Sequence, residues 1–266
     1  MPPDRFAGTK TRLIAVASGK GGVGKSTVAT NLAIALAVGG AEVGLVDADV
    51  WGFSIPKMLG LDAPPEADEK GIVPPMAYGV KVISMDFFVG ADQAVVWRGP
   101  MLHKAVEQFL FEVAWGEPDY LVVDLPPGTG DVSISLSQFA PTTSQIIVTT
   151  PQPTAQRVAR RAGLMARKVN QQVLGVVENM AWFTCEHGDR HLLFGEGGGR
   201  LLADQLEVPL LAQIPLVPAL REGADQGVPA MVAAPDSDAA AAFTALAAQV
   251  EKSKPRVRSH PKLVIS

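Results

Sequence analysis

The sequence predicts an α/β fold of three layers, a mainly parallel sheet flanked by helices. Two observations predict it. Short apolar runs recur along the chain, nearly unbroken and often ending in an aspartate or a hydroxyl residue, as strands covered on both faces do. Between them lie longer stretches with helical spacing, the alternation that parallel strands joined by crossover helices require. Gly 26 and Pro 21 punctuate these runs and form no low-complexity tract.

In order along the chain, LIAVA (13–17) reads as the first buried strand. STVATNLAIALAVG (26–39) reads as a helix closed by glycine, and VGLVD (43–47) as the next strand. LDAPPEADEKGIVPPM (61–76), rich in proline and acid, is expected to be a long loop leaving and rejoining one domain, because VKVIS (80–84) resumes the strand series. Helical stretches follow at 101–115, 154–170 and 197–206, interleaved with the strands YLVVD (120–124), QIIVTT (145–150), VLGVVEN (173–179) and PLLAQIP (209–215). An alanine-rich helix is expected at about 236–251. The organisation is thus a leader (1–11), one domain (12–251) and a tail (252–266) with five Lys/Arg and no acid, open to reading as a frayed terminus or an interaction tail.

Composition narrows the function classes. Lys+Arg 23 against Asp+Glu 27 gives −4, which removes a general electrostatic case for nucleic acid. A single cysteine cannot form an intrachain disulfide, so a reducing compartment is the expectation. No uninterrupted apolar run approaches the roughly 18 residues of a spanning helix. The first twelve residues, MPPDRFAGTKTR, lack the apolar core of a secretory signal. A cytoplasmic protein with no strong nucleic-acid or membrane signal is expected.

SGKGGVGKST (18–27) contains the phosphate-loop pattern G-x-x-x-x-G-K-[ST], with Gly19, Gly24, Lys25 and Ser26 in place. It sits between a strand and a helix, where turn amides and the positive helix end face an anion. Lys25 is expected to reach the β- and γ-phosphates of ATP, Ser26 to ligate Mg²⁺, and Thr27 to lie beside the α-phosphate. Asp124 ends a strand and is the candidate second Mg²⁺ group, acting through water; Gly128 and Asp131 follow it. Asp47 and Asp49 end another strand: Asp49 is the candidate for orienting the attacking water, with Asp47 nearer the metal shell. Helix capping is the alternative for each of the three carboxylates. A second lysine, Lys20, lies inside the loop. It has the reach to cross a dimer interface toward the partner's nucleotide.

GKGGVGKST (19–27) resembles the deviant Walker A loop of the MinD, ParA and nitrogenase-iron-protein class. DADVWGFSIPKMLG (47–60), VWRGPMLHKAVEQFL (96–110), DYLVVDLPPGTGDVSISLSQ (119–138) and TTPQ (149–152) extend the likeness. With LGVVENM (174–180), FGEGGG (194–199) and IPLVPALREGADQGVP (214–229), these blocks resemble the Mrp/ApbC/Nbp35 family of iron–sulfur cluster carrier ATPases over roughly 12–248. The resemblance implies a three-layer P-loop NTPase fold and an ATP-dependent homodimer. It assigns phosphate binding to Gly21, Gly22, Val23, Gly24, Lys25, Ser26 and Thr27, and a role across the interface to Lys20. It places Asp49 on the first switch and Asp124 on the second acidic motif, sets Asn179 against adenine, and runs the chain past the base after Pro215. Iron–sulfur client or assembly proteins are the implied partners.

Two departures bear on function. Many bacterial relatives carry an N-terminal domain, and only about ten residues precede the first strand here, so that domain is expected to be absent or excluded. Cluster-carrying members usually have Cys-x-x-Cys after the ENM segment, whereas FTCEHGDRH (183–191) has Cys185 and then Gly188 at the second position. Two copies supply two thiolates, so His187 and His191 are the candidates to complete a shell for a labile iron–sulfur cluster bridging the dimer, or for zinc. A loop that binds no metal is the alternative. Within the same fold, a positioning or partition ATPase and a nucleotide-gated scaffold that carries no cluster stay open as functions.

Overall fold

The computed structural model describes residues 6, 8–50, 52–69, 71–88, 99–128 and 130–253. Most of the leader, the tail beyond 253 and positions 96–98 of the VWRGPMLHKAVEQFL block lie outside the described residues.

The first apolar run forms β1 (Arg12–Ser18), and the glycine-rich turn leads into α1 (Lys25–Val38). β2 (Val43–Asp47) and a short α2 (Ile55–Met58) follow. The small strands β3 (Glu66–Asp68), β4 (Gly71–Val73) and β5 (Met76–Ala77) precede β6 (Val80–Ser84) and a 3₁₀ turn at Met85–Phe88. Next come α3 (Gly99–Phe111), β7 (Tyr120–Asp124), α4 (Asp131–Phe139), β8 (Ser144–Thr149) and α5 (Pro153–Lys168). β9 (Gln172–Thr184), β10 (Arg190–His191), α6 (Gly198–Gln205) and β11 (Leu210–Leu216) complete the sheet. α7 (Pro218–Gln226), α8 (Ala230–Ala233) and α9 (Asp238–Lys252) close the described chain.

The main sheet has the order β10-β9-β8-β1-β7-β2-β6-β5, with β11 also paired to β9. Its pairings are parallel except for β5 and β10. Alternate residues of each central strand feed two separate cores. Ile14, Val16, Leu45 and Val122 pack with α1 and α9, while Leu13, Ala15, Val46 and Val123 pack with α3, α4, α5 and α6. Two covered faces explain why these strands read as unbroken apolar runs. The three-layer expectation holds, and the register sets Asp47 beside Asp124 and Asp124 beside Val16 at the carboxyl ends of β2, β7 and β1. Ligands of open α/β sheets bind at such ends.

Three local expectations are corrected. The segment 61–76 is not merely a loop: β3 and β4 pair there as an antiparallel hairpin. α3 stops at Phe111 and does not reach 115, because the backbone beyond it pairs elsewhere. Ile72 N–H donates to Glu112 O at 2.9 Å, Ala114 N–H donates to Ile72 O at 2.8 Å, and the buried Trp115 ring donates to Phe109 O at 2.7 Å. β9 does not end at 179; β11 pairs with it as far as Phe183 and β10 pairs with its last two residues. Among the described residues no helix is long and apolar enough to cross a membrane.

Candidate nucleotide site

The loop between β1 and α1 is a cradle because glycine lets it turn twice. Gly22 (φ 77°) and Gly24 (φ 79°) occupy the left-handed region that side chains avoid. Ser18 Oγ donates to Lys20 O at 3.0 Å, and Gly128 N–H donates to Ser18 O at 2.8 Å, tying the loop to the segment after β7. A cavity of about 380 Å³ opens here, lined by Lys20, Gly21, Gly22, Gly24, Lys25, Ser26 and Thr27 together with Asp49. Lys20 is exposed on its rim, whereas Lys25 is 6% exposed.

Lys25 is held by carboxylates. Its Nζ lies 2.7 Å from Asp124 Oδ1 and 3.3 Å from Asp49 Oδ2. Ser26 Oγ donates to Asp124 Oδ2 at 2.6 Å, so one carboxylate bridges the lysine and the hydroxyl of the phosphate loop. Burial disfavours the ammonium, but Asp124 and Asp49 outweigh it and hold the Lys25 pKa above its ordinary value. Burial raises Asp124, against the opposing pull of Lys25 and Ser26.

Asp47 is fully buried behind this group. Its Oδ1 accepts from Asp49 N–H at 3.2 Å, and its Oδ2 accepts from Ser84 Oγ at 3.0 Å and from the backbone N–H groups of Ser54 and Ile55 at 3.2 and 3.3 Å. Burial, and then the charge of Asp124, push its carboxyl up to about 7. The helix-capping alternative describes these contacts. One signal in the sequence points to them, Ser54 just before Ile-Pro-Lys-Met.

A second cavity, about 410 Å³, shares Gly24, Thr27, Ser54 and Met58 with the first and continues to Asn179, Met180, Pro215 and Leu220. Asn179 Nδ2 donates to Val23 O at 2.9 Å, while its buried Oδ1 has no hydrogen-bond partner among the described residues. An orphaned buried acceptor is costly, and it matches an amino donor on a ligand in this cavity. Ser54, Met58 and Leu220 were missed by sequence reasoning; they are remote in sequence and reach the cavity only through α2 and α7.

The Cys185 loop is a separate place. Cys185 N–H donates to Asp189 O at 3.0 Å and Gly188 N–H donates to Cys185 O at 2.9 Å, closing the turn between β9 and β10. A hydrogen bond from His191 and one from the His187 backbone lower the Cys185 thiol pKa. Both histidines are exposed. Among the described residues no three His, Cys, Asp or Glu side chains gather closely enough to hold a metal ion. Within one chain, Cys185 thus has His191 as its hydrogen-bonding neighbour in an exposed turn, and the shell expected from these residues spans two copies. Gly188 has φ 86°, a conformation suited to glycine and strained for a cysteine.

Oxygen donors from Ser26 and Asp124, with room for phosphate and water, suit a small hard cation such as Mg²⁺. The parallel sheet and a strand–glycine loop–helix turn carrying a buried lysine define a P-loop nucleoside triphosphatase. The chain belongs to the NUBPL iron-transfer P-loop NTPase family, whose profile matches residues 9–251. It is 54% identical over 233 residues to the iron–sulfur cluster carrier protein of Mycobacterium tuberculosis (strain ATCC 25618 / H37Rv), an overlap covering 85% of this chain and 61% of that relative's length. Among solved structures, a nucleotide-binding protein from Archaeoglobus fulgidus in complex with ADP is similar (TM-score 0.76, 38% identity, 90% of this chain and 94% of that one). So is the septum site-determining protein MinD of Pyrococcus horikoshii OT3, complexed with Mg-ADP (TM-score 0.70, 27% identity, 91% and 96%).

Proposed function

We propose that this chain is the ATP-hydrolysing unit, spanning 12–251, of a homodimeric, cytoplasmic iron–sulfur cluster carrier or assembly factor. The observation that carries it is the convergence of Asp124 and Asp49 on Lys25 at the mouth of the glycine loop. That arrangement is a charge clamp waiting for a polyanion: arriving phosphates take over the ammonium, and Asp124 and Asp49 are released for other work.

In the bound state the amides from Gly21 to Thr27, Val23 included, surround the phosphates, with Lys25 on the β- and γ-oxygens. Ser26 and Asp124 would hold Mg²⁺, which would neutralise phosphate charge. Asp47 supports that shell from behind, its carboxyl fixed by Asp49, Ser54, Ile55 and Ser84. Asp49 orients the attacking water, a positioning task suited to phosphoryl transfer. Asn179 offers Oδ1 to the 6-amino group of adenine, and Pro215 walls the base. Lys20, free to swing on the rim, completes the partner's site across the dimer.

The cargo is an iron–sulfur cluster, supported by the family and by the named relative. With one cysteine per chain, a cluster on the isolated protein bridges two copies through Cys185 and is labile, His187 or His191 supplying further ligands from a rearranged loop. The single cysteine also favours a second reading, a nucleotide-gated scaffold that carries no cluster.

Anaerobic reconstitution with iron and sulfide, followed by elemental analysis and absorption spectroscopy, separates them. The carrier reading expects weak, oxygen-sensitive iron binding that is lost in Cys185→Ala, while ATP binding persists in that variant and is lost in Lys25→Ala. Iron binding that survives Cys185→Ala contradicts the ligand assignment. Iron-free protein that still binds ATP favours the scaffold.

A further inference from the structure

We infer that the outer face of α5 is a docking site for an acidic protein segment carrying an aliphatic anchor. No Asp or Glu occurs between Asp131 and Glu178, yet α5 alone carries Arg157, Arg160, Arg161, Arg167 and Lys168. At about 100° per residue, Arg157, Arg161, Leu164 and Lys168 fall within an arc of about 60°, with Arg160 and Arg167 on its flank. The opposite face, Ala155, Ala159, Ala162 and Ala166, is buried against the sheet and α6.

All five cations are exposed, and among the described residues none lies within ion-pair distance of a carboxylate. Arg167 donates to Leu206 O, a contact that leaves its charge uncompensated. A chain of net charge −4 thus concentrates positive charge on one helix face. Five unpaired cations repel one another, and an anionic partner relieves that repulsion.

The occupant's class follows from what else the stripe contains. Leu164, 43% exposed, sits in the middle of the cations. An aliphatic side chain there has nothing to gain from phosphates but suits an apolar residue of a peptide. The stripe has no aromatic ring on which a nucleic-acid base would stack. Arginine's fork pairs with carboxylates two bonds at a time. The inner side of the same helix touches the phosphate loop, since a Cβ at Gly19 would meet the Val158 carbonyl carbon at 2.2 Å. A partner on α5 is therefore seated one helix diameter from the nucleotide cradle.

The test uses the full chain and a fluorescein-labelled, helix-forming synthetic peptide of about 16 residues, long enough to match α5, with glutamates flanking a leucine stripe. Wild type is expected to bind it, more weakly as salt rises. Arg157→Glu combined with Arg161→Glu should weaken binding at least about tenfold, and Leu164→Ser about threefold or more, with ATP hydrolysis unchanged in both. Absence of peptide binding, or binding indifferent to these substitutions, overturns the proposal. So does tighter binding, through the same residues, of a 20-base-pair DNA duplex or of phosphatidylglycerol vesicles. A shift in the sedimentation of the protein alone on charge reversal would instead mark the face as a contact between copies, and also overturns it.

Discussion

At Asp47 an aspartate at the end of a strand meets a different demand from the one its position suggests. Asp47 and Asp49 are two apart and both follow VGLV, so the sequence made either a candidate for nucleotide chemistry. The structure turns Asp49 toward Lys25 and leaves Asp47 holding the start of α2 and Ser84. Ser84 is 37 positions away, and only the pairing of β2 with β6 brings it there. A carboxyl raised to about 7 makes the folded chain bind a proton that the unfolded chain, near 3.9, has already released. Its contribution to stability is thus fully present below about pH 4 and is lost as pH rises through about 7. Urea unfolding of nucleotide-free wild type and Asp47→Asn should show the wild-type advantage shrinking from about pH 5 to about pH 8. A difference that stays flat over that range removes Asp47 as the titrating group.

Among the elements, the β1–loop–α1 unit was the most legible, because its strand, turn and helix signals and its chemistry occupy adjacent residues. Less legible were features made by distant backbone. The end of α3 depends on Ile72, and the reach of β9 depends on β11 and β10. The loop after Thr184 illustrates the limit: spacing suggested a ligand set, and the turn brings His191 to Cys185 while leaving both His187 and His191 exposed. Gly19 shows how tightly the phosphate loop is seated. A Cβ there would lie 2.2 Å and 2.3 Å from backbone atoms of Val158 and Ala159, which cannot move without shifting α5. Gly19→Ala should cost about 1–3 kcal/mol or more and weaken ATP binding. Gly21→Ala, which meets nothing within 4 Å and needs no positive φ, should leave stability within about 0.5 kcal/mol of wild type. Equal melting temperatures for wild type and Gly19→Ala would show that the loop is not fixed by α5.

At the scale of the whole molecule, the candidate site gathers at the carboxyl ends of β1, β2 and β7, with β9 and β11 lining the second cavity, where the base is proposed to lie. The proposed dimer adds Lys20. Mixed dimers test it: with one subunit disabled by Lys25→Ala, activity should fall mainly when Lys20→Ala sits opposite the competent site. Equal activity in both arrangements excludes action across the interface. ATP turnover itself is tested most directly by steady-state phosphate release from wild type and Asp49→Ala, with ATP affinity measured on the same samples. Water orientation matters in the transition state more than in binding, so turnover should drop at least about tenfold while affinity stays within about threefold. Unchanged turnover in folded, ATP-binding Asp49→Ala protein would contradict hydrolysis at this site by the proposed arrangement.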